Sequence, residues 1–111
     1  MTPTSITIHS TGNANSTAQG ERNWLTNPSN NRIASWHIAV DEKEAVIAIP
    51  LDEVAWHAGS GNNSSISIEI CESGNRAKTL ENAIALTAHY LRIYGWNTAA
   101  LRTHQYWAEL L

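Results

Sequence analysis

The stretch SSISIEIC, residues 64–71, decides the fold because isoleucine alternates strictly with polar residues along it. Alternation with a period of two predicts a β-strand with one apolar face and one polar face, and the polar face carries Glu69. The segment TSITIHST, residues 4–11, alternates in the same way and has His9 on its polar side. If the two strands are neighbours, the side chains of His9 and Glu69 project onto one surface.

Two further segments have the pattern of helices. Residues 16–25 begin with a capping box, in which Ser16 is the expected N-cap and a glutamine follows three residues later. Residues 79–95 form the stronger pattern, with Thr79 as the expected N-cap and a glycine at the end. An apolar stripe along this second helix predicts that it packs on the sheet, and it consists of Leu80, Ala83, Ile84, Leu91 and Tyr94.

The remaining segments complete a mixed sheet. SWHIAV and AVIAIP, residues 35–40 and 45–50, flank the charged turn DEKE and predict a β-hairpin. Residues 98–107 follow the long helix as a last short strand or loop. The order predicts an α/β fold with a mixed central sheet flanked by helices. A length of 111 residues fits a single domain, residues 1–111.

The composition and net charge limit the classes of partner that the chain is expected to bind. The net charge of −3, without a run of Lys or Arg, gives no argument for nucleic-acid binding. No apolar run approaches the ~20 residues of a membrane span, so we expect no membrane partner. The single cysteine excludes an internal disulfide. The N-terminus lacks a basic start and an apolar core, so no signal peptide is visible and synthesis in the cytoplasm is expected.

Three polar residues, His9, Glu69 and His104, each lie near the end of a strand-like segment. Imidazole is the commonest metal ligand, and a carboxylate beside a metal-activated water can act as its general base. A catalytic zinc needs three protein ligands, so from spacing alone two distant histidines fit surface or hydrogen-bonded residues better than metal ligands. His37 could face the same surface as His9. His57 lies in a glycine-rich loop and is expected to line a groove rather than bind a metal.

Several runs occur in an order that is specific in combination: ITIHSTGN, AIPLDEVAWHAGSGNN, SISIEICESGN and RTHQYW. From about Ser5 to Trp107, the chain resembles the zinc-dependent N-acetylmuramoyl-L-alanine amidases of bacteriophage endolysins and bacterial autolysins. These enzymes share a superfamily with peptidoglycan recognition proteins. The resemblance implies that zinc-activated water hydrolyses the amide between N-acetylmuramic acid and L-alanine in peptidoglycan. It also implies action on the bacterial cell wall after release or export.

The resemblance also implies roles for individual residues. His9 and His104 match the zinc ligands, and Glu69 matches the acid or base that activates the water. Trp36 stands where relatives often have a tyrosine that donates to the developing oxyanion, and it offers an indole N–H instead. The expected substrate-binding residues of the groove are Trp56, His57, Asn62 and His37.

One departure concerns the third zinc ligand, which relatives carry in a short loop such as Lys-x-Cys-Pro. Here the sequence reads THQYWAELL and ends, and Tyr106 stands where relatives tend to have aspartate. The sequence therefore predicts an incomplete zinc site unless Glu109, the terminal carboxylate of Leu111, water or another chain completes it. Three interpretations stay open: an active amidase, an impaired or inactive peptidoglycan-binding module, and a stable fragment without a function of its own.

Overall fold

A computed structural model describes residues 1–27, 29 and 34–109 of the chain. Its strands form one mixed five-stranded sheet. In chain order they are β1 (Ser5–Ser10), β2 (Ile38–Val40), β3 (Ala45–Ile47), β4 (Ser65–Ile70) and β5 (Leu101–Thr103). Their order across the sheet is β3-β2-β4-β1-β5, and only the β2–β3 hairpin is antiparallel. Three α-helices accompany the sheet: α1 (Ala18–Thr26), α2 (Arg76–Tyr94) and α3 (His104–Glu109). The predicted α/β class with a mixed sheet is confirmed.

The two alternating strands of the sequence, β1 and β4, are parallel neighbours at the centre of the sheet. Their register places His9 directly opposite Glu69. Successive residues of a strand point to opposite faces, so these two side chains share one face at the carboxyl ends of both strands. The strand register alone therefore brings His9 and Glu69 together, as predicted.

The apolar face of the sheet packs against α2. The buried cluster there consists of Ile6, Ile38, Val40, Ile66, Ile68 and Ala83. Burying one such isoleucine stabilises the fold by about 1.5–3 kcal/mol. Ile70, expected in this core, is only half-buried because it lies at the end of its strand.

The predicted apolar stripe of α2 is partly wrong. Ala83 is buried, but Ile84 is 70% exposed and Leu80 is 37% exposed. The helix instead presents Thr79, Ala83 and Thr87 to the sheet, at a spacing of four residues. These small side chains face the sheet directly, so the larger Leu80 and Ile84 lie to the side.

Both predicted N-caps are also wrong. Thr17 caps α1, with its hydroxyl accepting from the Gly20 N–H at 3.0 Å. Ser16 instead accepts from the Glu72 N–H at 2.9 Å and so ties the start of α1 to the segment after β4. Helix α2 begins earlier than predicted, since Asn75 is its N-cap.

The polar face of the sheet is covered by protein rather than by solvent. Thr7 and Ser65 are fully buried, and their hydroxyls are 2.6 Å apart. Trp107 of α3 donates its indole N–H to the Thr7 hydroxyl at 2.8 Å. Residues 98–107, predicted as a last short strand or loop, consist of a 3₁₀ turn (Thr98–Ala100), β5 and the first residues of α3. Among the described residues, no helix is long and apolar enough to cross a membrane.

Candidate active site

Glu69 lies at the carboxyl end of β4, between His9 on β1 and Ala39 on β2. Burial raises the pKa of its carboxyl to about 7, and the negative charge of Glu21 on α1 adds to this effect. A carboxyl with a pKa near neutrality can both accept and return a proton at physiological pH. Glu69 is therefore suited chemically to general acid–base work.

Three imidazoles gather around His9, the register partner of Glu69. His9 Nε2 is 3.1 Å from His57 Nδ1, and the rings of His9 and His104 have their centroids 5.3 Å apart. Burial, together with the charge of the neighbouring histidines, lowers the pKa of His9 and of His57 to about 4. Both imidazoles are therefore neutral at physiological pH, which is the form that binds metals.

The tautomer of His57 follows from its contacts. Its Nε2 lies 3.1 Å from the Ser65 carbonyl oxygen, and because a carbonyl can only accept, Nε2 carries the hydrogen. The lone pair of His57 is then on Nδ1, which faces His9. The sequence placed His57 in a groove, whereas the structure places it in the histidine cluster.

Asn62 shapes the loop that presents His57. Its side-chain oxygen accepts from the backbone N–H groups of His57 and Ala58, both at 2.8 Å. Gly59 follows with a φ of +57°, a conformation that favours glycine. These contacts give Asn62, predicted as a substrate-binding residue, a structural task in the loop. Trp56 precedes His57 and is 57% exposed, so its ring is free to meet a ligand.

His37 packs against the histidine cluster, since its ring centroid lies 6.1 Å from that of His57. It is fully buried, its Nδ1 accepts from the Ser67 N–H at 2.9 Å, and its Nε2–H donates to the Glu53 carbonyl at 2.7 Å. Burial lowers its pKa, so the ring is neutral. With both ring nitrogens bonded to backbone, His37 holds the loop around Glu53 against the central strand, and its contact with a substrate stays a prediction.

A groove of about 550 Å³ opens beside Glu69, between α1 and the end of the sheet. Trp36 forms one wall and stacks on Trp24 of α1, with ring centroids 5.5 Å apart and planes within 10°. Trp36 is 8% exposed, and its indole N–H has no hydrogen-bond partner within the described part of the chain. Other lining residues are Ser10, Thr11, Asn13, Asn15, Glu21 and Ala34.

Glu21 and Trp24 were missed by the sequence reasoning. They are three residues apart on α1, which places them on one helix face, and that spacing was the available signal. The same spacing is equally typical of a helix face exposed to solvent. Only the packing of α1 beside β2 and β3 turns it toward Glu69.

Cys71, the single thiol of the chain, takes no part in this chemistry. It is fully buried, and burial raises its pKa to about 12. The thiolate is the reactive form of cysteine, so Cys71 is inert at physiological pH.

The donor chemistry of the cluster fits a zinc ion. Two nitrogens bound at 2.0–2.1 Å to one tetrahedral zinc are ~3.3 Å apart, close to the 3.1 Å between His9 and His57. Within residues 1–27, 29 and 34–109, however, no group of three His, Cys, Asp or Glu side chains is already arranged to hold a metal. The terminal carboxylate of Leu111 and the side chain of Glu109, considered above as ligands, lie outside the described part.

Comparisons with known sequences found similar proteins along nearly the whole chain. The family described as N-acetylmuramoyl-L-alanine amidase matches residues 1–109. The amidase XlyA of Bacillus subtilis (strain 168) is 39% identical over 116 residues, covering 97% of this chain and 38% of XlyA. The amidase CwlA of the same organism is 40% identical over 111 residues, covering 92% of this chain and 40% of CwlA. The chain thus spans about two fifths of the length of these relatives.

Solved structures show the same fold. The catalytic domain of XlyA superimposes with a TM-score of 0.91 at 38% identity, covering 97% of this chain and 74% of that domain. The Staphylococcus aureus hydrolase AmiA, solved in complex with its ligand, gives a TM-score of 0.81 at 28% identity. That match covers 93% of this chain and 55% of AmiA.

Proposed function

Because this chain belongs to the N-acetylmuramoyl-L-alanine amidase family, we propose that it hydrolyses an amide of bacterial peptidoglycan. The bond is the one between the lactyl group of N-acetylmuramic acid and the L-alanine of the stem peptide, and the place of action is the cell wall. The observation that carries the proposal is the strand register that sets His9, a member of the histidine cluster, opposite Glu69, which lines the groove and has a pKa of about 7.

The groove suits a muramyl peptide in shape and chemistry. Such a ligand offers apolar sugar faces, which pack on indole rings, and many amide groups, which need hydrogen-bond partners. Trp36 supplies an aromatic wall and an unpaired indole N–H that can donate to a substrate carbonyl. Trp56 precedes His57 in the chain, and its exposed ring is a further aromatic surface for a sugar face. A buried donor without a partner is costly, so a ligand acceptor would be favourable here.

In this proposal Glu69 performs the proton transfers of the reaction. Its carboxylate takes a proton from the attacking water and returns it to the nitrogen of the leaving L-alanine. A pKa of about 7 leaves a large fraction of Glu69 ionised at neutral pH and keeps the protonated form a competent acid. Its low-polarity surroundings strengthen the hydrogen bonds of Glu69 to the attacking water and to the leaving nitrogen.

The resemblance to zinc amidases assigns His9 and His104 to the metal. When bound, zinc supplies a Lewis acid that polarises the scissile carbonyl and lowers the pKa of water. Both histidines lie within 5.3 Å of each other, measured between ring centroids. His9 is held by its strand, and His104 is placed by the start of α3.

The test compares the zinc-supplemented chain with its Glu69→Gln variant on purified cell wall and on a soluble muramyl peptide. We expect release of peptides with L-alanine at the new N-terminus, and a loss of about 10²–10⁴ in rate for the variant, the usual contribution of a general base. Glu44→Gln, in the exposed β2–β3 turn, is the matched control and should leave the rate unchanged. An unchanged rate for Glu69→Gln would remove Glu69 from the mechanism.

A second candidate function is binding of peptidoglycan without cleavage. It is favoured by the absence, among the described side chains, of three ligands already converged on one point. Co-sedimentation with insoluble cell wall separates the two functions. Binding without any release of L-alanine-terminated peptides, in the presence of added zinc, would support the binding module.

A further inference from the structure

The indole of Trp107 contacts the strand that carries His9, although Trp107 itself belongs to α3. We propose that Trp107 is a positioning residue for His104, which it holds beside His9 by donating to the Thr7 hydroxyl. The consequence for hydrolysis rests on the proposed function, because His104 matters to the reaction only if that function is correct. The effect of the contact on the position of His104 does not depend on it.

The shortness of α3 is the first argument. The helix has six residues, His104–Glu109. Isolated helices shorter than ~12–15 residues are marginal in water. The Thr103 hydroxyl accepts from the Tyr106 N–H at 3.2 Å, which caps the start of α3 but leaves the direction of the helix open. Contacts with the rest of the fold must therefore set that direction, and with it the position of the exposed His104.

The matched spacing of two residue pairs is the second argument. His104 and Trp107 are three residues apart on α3, so they lie on one face of the helix. Thr7 and His9 are two residues apart on β1, so they lie on one face of the strand. Trp107 Nε1–H donates to Thr7 at 2.8 Å, and the ring centroids of His104 and His9 are 5.3 Å apart. One face of α3 thus lies along one face of β1, and Trp107 fixes the Thr7 end of this contact.

The fit of the Trp107 ring is the third argument. A Cβ atom at Gly61 would lie 2.5 Å from a carbon of this ring, so the close approach requires glycine. The φ of Gly61 is not positive, so this requirement comes from the Trp107 ring and not from the backbone conformation. The packing against Gly61 and the hydrogen bond to Thr7 together determine where the indole lies and how it is rotated.

Thr7 is a rigid anchor for this contact. It is fully buried on the central strand β1, and its hydroxyl lies 2.6 Å from that of Ser65. A β-branched side chain is also stiff at χ1. Among the described residues that line the groove beside Glu69, neither Trp107 nor Thr7 is found. Breaking their bond should therefore displace His104 and leave the walls of the groove in place.

The experiment measures the nuclear Overhauser cross-peak between the ring protons of His9 and His104 in the metal-free chain, identified by its absence from His104→Ala. Thr7→Val removes the acceptor and keeps the shape of the side chain, whereas Thr7→Ser keeps a hydroxyl and loses a methyl group. Thr87→Val is the matched control, because it removes a buried threonine hydroxyl from α2, which packs on the opposite face of the sheet. Circular dichroism shows whether each variant is folded.

We expect the cross-peak in the parent, in Thr7→Ser and in Thr87→Val, and its loss in Thr7→Val. The indole N–H resonance of Trp107 should move upfield in Thr7→Val, because the N–H loses its acceptor. Trp107→Phe keeps a ring but removes the donor, so it should also lose the cross-peak. It tests the same bond if Thr7→Val does not fold.

Four results would overturn the proposal. One is a parent chain without the cross-peak. Another is a folded Thr7→Val protein in which the indole resonance moves and the cross-peak remains. The third is a folded Trp107→Phe protein that keeps the cross-peak. The last is loss of the cross-peak in Thr7→Ser or Thr87→Val, which would show that any buried substitution displaces His104.

The kinetics with zinc and a soluble muramyl peptide separate this inference from the proposed function. Thr7→Val should lower kcat by as much as about 10²-fold, the cost of misplacing a reacting group by about 1 Å. KM should stay close to that of the parent, because the groove is unchanged. The expected cross-peaks without hydrolysis by any form would reject the proposed function alone. Hydrolysis by the parent, with an unchanged cross-peak and kcat in folded Thr7→Val, would reject the inference alone.

Discussion

The pKa of Glu69 is raised to about 7 for two reasons that differ in how they can be altered. Burial in the sheet is fixed by the fold, but the charge of Glu21 comes from one side chain across the groove. Burial also raises the pKa of Glu21 itself. Removing that charge should make Glu69 easier to ionise.

Glu21→Gln should therefore lower the pKa of Glu69 below its present value of about 7. The base must be ionised to act, so hydrolysis falls as the pH drops through this pKa. We expect the acid limb of the pH–rate profile to move to lower pH in Glu21→Gln. Glu44→Gln, in the exposed β2–β3 turn, should leave the profile in place. A limb that stays at the parent's pH in Glu21→Gln would show that Glu21 does not act on the titrating group.

The sequence indicates the strand residues of the site much better than the others. His9 and Glu69 follow from the alternation of β1 and β4, because the polar face of a strand is fixed by its period of two. His57 and Glu21 lie on a loop and a helix whose orientation depends on packing. Their placement beside His9 and Glu69 is a tertiary effect that no local pattern contains.

At the scale of secondary-structure elements, the charged β2–β3 turn also holds the start of α1. Asp41 is buried, with one oxygen accepting from the N–H groups of Lys43 and Glu44 and the other from Ala18 at the start of α1. Burial alone raises the pKa of this carboxyl, but the three amide donors outweigh it and hold the pKa below the ordinary 3.8. One carboxylate thus joins the hairpin to the helix that forms a wall of the groove.

Asp41→Asn should destabilise the chain by about 1–3 kcal/mol, because its amide nitrogen must face at least one backbone N–H that loses its acceptor. Urea unfolding at pH 7 measures the change, and Asp52→Asn, at an exposed position, should stay within ~0.5 kcal/mol. The advantage of aspartate requires the ionised form, so it is present above pH 3.8 and is lost as the pH falls through the lower folded pKa. Equal stability of the parent and Asp41→Asn at pH 7 would contradict this role.

The boundaries of the helices show the limit of local patterns at the scale of an element. The capping box at Ser16 satisfies every local rule, yet its hydroxyl bonds the Glu72 N–H across the fold. Similarly, α3 was invisible because it is short and is held by the contact of Trp107 with Thr7 and by its packing over Gly61. The period of two was enough to predict the strands, whereas the ends of the helices depend on contacts with residues distant in sequence.

For the molecule as a whole, the five tryptophans divide between two sides of the sheet. Trp24 and Trp36 line the groove, Trp56 is exposed beside His57 in the chain, and Trp107 contacts the polar face. Trp96 stacks on Tyr94, beyond the end of α2 and against the apolar core. Tryptophan suits both binding surfaces and cores, and the structure contains tryptophans in both settings.

Because the tryptophans lie on both sides of the sheet, their indole N–H resonances in a ¹⁵N–¹H spectrum report which side binds the substrate. On titration with a soluble muramyl peptide, Trp36 should shift most and move downfield, because its unpaired N–H gains an acceptor. Trp24 and Trp56 should shift less, since they meet the ligand through their rings. Trp96 should stay still, and Trp107 should keep its bond to Thr7.

Trp36→Phe, which retains a ring but loses the donor, identifies the resonance and should weaken binding. If Trp96 moved most while Trp36 stayed at its free position, the ligand would bind against the α2 side of the sheet, and the groove beside Glu69 would not be the substrate site.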